Sequence, residues 1–136
     1  MDNMSIIVRY CRTFTERKLR EFDLTFGEQI IVMFLSANEN ISQDTISKTF
    51  MIDKGMVAKT LNKLERKGYI MRRQNPNNKR ENIITLTQKG SDILIHMNAV
   101  LQEWNQILYE GMNKEDITSV KRLTEKMVEN VANYLN

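Results

Sequence analysis

The 136-residue chain carries 20 lysines and arginines against 17 aspartates and glutamates, with one histidine, one cysteine and a formal net charge of +3. A chain of this length buries roughly two-thirds of its unfolded surface as one domain, so its core needs no metal, and the lone Cys11 cannot form an internal disulfide. The longest apolar run, IIVMFL at 30–35, falls far short of the ~20 residues of a membrane span, and MDNMSIIVRYC lacks the cationic start and apolar core of a signal peptide; a soluble cytoplasmic protein with no membrane partner is expected.

Periodicity predicts mostly helix. A first segment, about 4–21, puts Ile7, Cys11 and Phe14 on one face and alternates them with Arg9, Arg12 and Arg17. A second helix opens at LTFGEQ, where Thr25 caps the amide three residues on and Glu28 reaches back in a capping box; it runs through IIVMFL to Ala37–Asn40. Ser42 is the next N-cap, Asp44 sits in a first turn whose dipole favours an anion, and a short helix follows to about Thr49. After a tight turn at Met51–Ile52, Asp53 caps a fourth helix, DKGMVAKTLNKLERKG, which Gly68 ends in the left-handed conformation.

On that fourth helix Val57, Leu61 and Leu64 share one face, while Gly55, Lys59, Asn62, Lys63 and Arg66 lie opposite. Short helix, tight turn and amphipathic helix make a helix-turn-helix, whose second helix can offer its first turns to base edges in a major groove. A charged surface helix in any bundle gives the same pattern.

Next come two short strands, YIMRRQ and NIITLT, with Ile84 and Leu86 alternating as one buried face requires. Between them, NPNNKRE at 75–81 reads as an exposed loop in which Pro76 fixes φ and the asparagines tolerate the left-handed region. A two-stranded hairpin is marginal alone and must pack on the preceding helices, which makes a winged helix-turn-helix. Lys79 and Arg80 at the tip suit a phosphate backbone and an adjacent minor groove; the plain reading is an ordinary polar hairpin. Residues 42–90 carry a net charge of +7, against −1 for 1–41 and −3 for 91–136, as expected of a polyanion-binding face or of a solvated lysine-rich surface.

The C-terminal part repeats Ile93, Met97, Val100, Trp104 and Ile107 at heptad spacing, and a last helix, capped by Asn113 with Glu115 and Asp116 in its first turn, carries Ile117, Val120, Leu123, Met127 and Val131. These stripes need a packing partner. Catalysis is not expected: one cysteine, one histidine and no glycine-rich loop leave no nucleophile–base pair or nucleotide cradle, and His96 has no spaced ligand partner, so neither cofactor nor metal is implied.

Residues 41–90 resemble the DNA-binding core of the MarR family of bacterial transcriptional regulators. The resemblance rests on Ile41-Ser42-Gln43, on an Asp-capped helix ending in Leu64-Glu65-Arg66-Lys67-Gly68, on a wing of the form x-Pro-x-x-basic-Arg, and on Leu86-Thr87-x-x-Gly90. It implies a mainly α fold with a small β-hairpin wing, formed as a single domain over 1–136. Within it the winged helix-turn-helix core spans 25–90, and helices in 1–22 and 91–136 form a dimerisation region.

It also implies a homodimeric repressor of a pseudo-palindromic site on double-stranded DNA, released by a small, often aromatic, effector. Groove-reading positions fall on Lys54, Gly55, Met56, Lys59 and Lys63, the phosphate-touching helix start on Ser42 and Gln43, and the minor-groove arginine on Arg80; Arg73 and Lys79 join them as expected DNA-binding residues. The chain departs from the pattern at Asn78, where the family has an acid pairing with the wing arginine, at Gly55-Met56, where it has Ser-Thr, and at Ala58, where it has serine. Met56 then offers apolar contact to a thymine methyl. Two other functions stay open: a winged-helix module that binds an acidic protein, and peroxide sensing through Cys11, set against Cys11 as a small core hydrophobe.

Overall fold

In the computed structural model, which describes residues 1–136, α1 (Asn3–Lys18) begins where Asp2 accepts a hydrogen bond from the Ser5 amide. It stops before Leu19, short of the expected 21, because Arg20–Phe22 tighten into a 3-10 turn that ends at a left-handed Asp23. α2 (Phe26–Ala37) starts on the predicted capping box: Glu28 N–H donates to Thr25 Oγ1, and Thr25 N–H donates to Glu28 Oε2. Asn40 then turns the chain at φ 55°.

The next two residues, β1 (Ile41–Ser42), form a strand that the sequence reading missed. They pair antiparallel with β3 (Asn78–Leu86), Ile41 opposite Ile84 and Ser42 opposite Ile83. β3 also pairs with β2 (Ile70–Asn75), so the expected two-stranded hairpin is a three-stranded sheet in the order β1-β3-β2. Ile83 is buried beside Ile84, so both faces of β3 are covered at this point and strict alternation fails. The expected loop at 75–81 shrinks to Pro76 and Asn77, and Asn78 to Glu81 belong to the strand.

Between these strands stand α3 (Gln43–Phe50) and α4 (Lys54–Arg66). Ser42 Oγ accepts from the Thr45 amide as the predicted cap, and Met51, left-handed at φ 52°, closes α3. The chain ends in α5 (Gln88–Leu108) and α6 (Lys114–Leu135), the latter on a capping box between Asn113 and Asp116.

Residues 1–101 and 102–136 form two compact units. The first holds the core: Val32 of α2, Ile46 of α3, and Val57, Leu61 and Leu64 of α4 are essentially inaccessible, joined by Tyr69, Ile70, Ile84 and, from α5, Ile93, Met97 and Val100. Each such side chain contributes about 1.5–3 kcal/mol. In the second unit no residue is fully buried. No helix is long and apolar enough to cross a membrane.

Candidate nucleic-acid interface

α4 is held in rotation and at both ends. Its core face, Val57, Leu61 and Leu64, is buried, which turns Lys54, Gly55, Met56, Lys59 and Lys63 outward, all exposed. At its start Asp53 Oδ2 accepts from the amides of Gly55 (2.8 Å) and Met56 (3.2 Å). A Cβ on residue 55 would lie 2.9 Å from that oxygen, so a bare glycine lets the cap sit close where the family pattern has serine. At its end the Gly68 amide donates to Glu65 O and the Tyr69 amide to Leu64 O, with Gly68 at φ 82°, the double closure of a Schellman cap. Met56 is 56% exposed, an apolar group in the first turn of an otherwise cationic face.

The wing is stitched to this helix by a residue outside the predicted site. Arg72 donates from Nε and Nη2 to the Glu65 carboxylate, 3.2 Å each, and from Nη2 to Asn62 Oδ1. Only Arg72 was fit for this task, because it alternates with the outward-facing Arg73 along β2. The asparagines at the tip do not adopt the expected left-handed region. They work through side chains instead: Asn75 Oδ1 accepts from the Asn77 amide, and Asn78 Oδ1 accepts from the Arg80 amide. Asn75 also donates to Glu81 Oε2, which ties the two strands below the turn. Asn78 thus holds the backbone of Arg80 rather than its guanidinium, and Arg73, Lys79 and Arg80 are exposed.

Gln43, Asp44, Lys54, Arg80, Glu81 and Asn82 line one crevice, so the structure brings the start of α3, the start of α4 and the wing together. Ser42, the residue before Gln43, is buried, its hydroxyl committed to Thr45. It sets the helix start, and the half-exposed Gln43 is the side chain that reaches outward. Asp44, which sequence reasoning placed only in the helix dipole, bonds Lys48 Nζ and Lys54 Nζ. The Lys48 and Lys54 hydrogen bonds hold its carboxyl below the ordinary carboxylate range, and Asp44 in turn raises Lys48.

Cys11 is half-buried and faces a cavity of about 480 Å³, lined also by Thr15, Gln29, Met33, Phe34 and Met97. Burial pushes its thiol up, while Arg12 is paired with Glu16 at 3.3 Å. Those features favour a neutral thiol rather than the thiolate that peroxide chemistry needs. His96 stacks at 4.9 Å on Phe22, and no group of three or more His, Cys, Asp or Glu side chains is placed to hold a metal ion.

The model of the MarR family matches residues 24–82. The HTH-type transcriptional regulator BilQ of Clostridioides difficile (strain CD3) is 31% identical over 113 residues, 82% of this chain and 76% of that protein. Among solved structures, a MarR transcriptional regulator from Methanosarcina mazei Go1 superposes with a TM-score of 0.92 at 26% identity, covering 96% of this chain and 94% of the other. A mutant MarR from E. coli complexed with operator DNA shares the fold, with a TM-score of 0.81 at 22% identity over 91% of this chain and 89% of the other.

Proposed function

The chain belongs to the MarR family, and from that premise we propose that it is a sequence-specific DNA-binding regulator, a repressor that grips a pseudo-palindromic operator as a homodimer. The observation that carries this reading is the exposed cationic face of α4, capped by Asp53 and joined through Arg72 to a wing whose Arg73, Lys79 and Arg80 are free to meet phosphate. Lys54, Gly55, Met56, Lys59 and Lys63 read the major groove, Met56 by apolar contact with a thymine methyl. Gln43 and the α3 start capped by Ser42 touch the backbone, and Arg80 enters the minor groove. Two subunits related by a twofold axis set their α4 helices about 34 Å apart, one turn of duplex.

An effector finds room in the cavity at Cys11. Its two other polar linings are already bonded internally, Gln29 Nε2 to Leu24 O and Thr15 Oγ1 to Arg12 O, and no cation lines it. A neutral aromatic body fits that lining better than an aromatic acid.

Arg80→Ala tests the DNA reading. It weakens binding to a selected duplex and to random duplex alike, and lowers the slope of log affinity against log salt by about one. Unchanged affinity and slope in a salt titration would remove the wing from the mechanism.

A further inference from the structure

Asp44 is an anion set inside the cationic face. Its Oδ2 lies 2.8 Å from Lys48 Nζ and its Oδ1 2.9 Å from Lys54 Nζ, so both oxygens are occupied. Lys48 stands one turn further along α3, whereas Lys54 opens α4; the carboxylate therefore spans the turn of the helix-turn-helix. The crevice it lines also contains Gln43 and Arg80. All three ionised side chains are more than a third exposed, so the pairs add little to stability. Their effect falls on the field that an approaching polyanion meets.

Resting on the DNA-binding reading above, we propose that Asp44 is a specificity-determining, positioning residue that withholds Lys48 and Lys54 from random phosphates and aims Lys54 across the turn toward the groove. Random DNA attracts the protein only through phosphate neutralisation, and each ammonium held by Asp44 is one fewer released counterion. Asp44 also repels phosphate directly. An operator recovers the loss through base contacts that random duplex lacks, so the carboxylate lowers both affinities but lowers the random one more.

The test compares a duplex recovered from a randomised pool by repeated selection on the wild-type chain with a random duplex of equal length. Asp44→Asn is expected to tighten binding to the random duplex several-fold, steepen its salt slope by about two, one for each ammonium released, and cut the operator-to-random ratio by about threefold or more. Asp44→Glu keeps the charge and restores the ratio. In the Asp44→Asn background Lys54→Gln removes about half of the gained random affinity, the freed Lys48 keeping the rest, whereas in the wild-type background it costs much less. A ratio that stays constant in Asp44→Asn, or a Lys54→Gln effect equal in both backgrounds, overturns the assignment and leaves the DNA-binding reading intact. A wild-type chain that binds no duplex at low salt overturns both.

Discussion

Glu28 is 1% exposed, and a carboxylate so placed needs a fixed counter-charge. Lys67, just past α4, supplies it: Nζ donates to Glu28 Oε2 at 2.8 Å and to Asp23 O, while Tyr69 Oη donates to Phe22 O at 2.6 Å. The connection between α1 and α2 is thereby fastened to the end of α4, which gives a structural reason for the lysine and glycine that close Leu64-Glu65-Arg66-Lys67-Gly68. Removing one partner of such a buried pair leaves an uncompensated charge, so Lys67→Met is expected to destabilise the fold by about 3–5 kcal/mol in urea titration. Adding Glu28→Gln should recover much of that loss, since glutamine still serves the capping box with Thr25. A double variant no more stable than Lys67→Met would show that the lysine acts through packing instead of charge.

Between elements, the start of α5 makes a close contact with the start of β2. Thr87 donates its hydroxyl to Gly68 O and its amide to Tyr69 O, and its hydroxyl also accepts from the Gly90 amide. A Cβ on Gly90 would stand 2.1 Å from Tyr69 O and 3.1 Å from Leu86 Cδ2. Backbone oxygen cannot yield as a side-chain tip does, so Gly90→Ala has to push α5 away from the start of β2, at a cost of about 3 kcal/mol or more; an unchanged urea midpoint would refute this. The motif Leu86-Thr87-x-x-Gly90 was legible in the sequence, though its reason was not. Caps at Thr25, Ser42, Asp53, Gly68 and Asn113 were legible because each closes over two to five residues. β1 was not, because two residues pair with a strand some forty positions on, and no local signal announces that. The site divides in the same way: periodicity exposes the outward face of α4, whereas the Asp44–Lys54 and Arg72–Glu65 pairs need the fold to bring their partners together.

For the whole molecule, the unanswered demand is apolar surface in residues 102–136. Within that unit Leu123, Met127 and Val131 of α6 are 46%, 51% and 58% exposed, and they repeat at helical spacing along one side of a 22-residue helix. A helix in water draws most of its stability from packing such a face. In the homodimer proposed above, a second copy of the chain would satisfy the demand and, by linking two α4 helices, would turn the second half-site contact into an intramolecular event worth about 10²–10⁴ in avidity. Leu123→Glu combined with Met127→Glu would bury two charges per subunit in the proposed contact, which an apolar pairing cannot accommodate. The variant is expected to sediment as a monomer and to lose operator affinity by about the avidity factor, while its weaker, salt-dependent hold on random duplex through a single α4 and wing persists. A variant that still sediments as a dimer would place the subunit contact elsewhere; one that becomes monomeric yet binds operator as tightly as before would show that a single recognition helix suffices for the function proposed here.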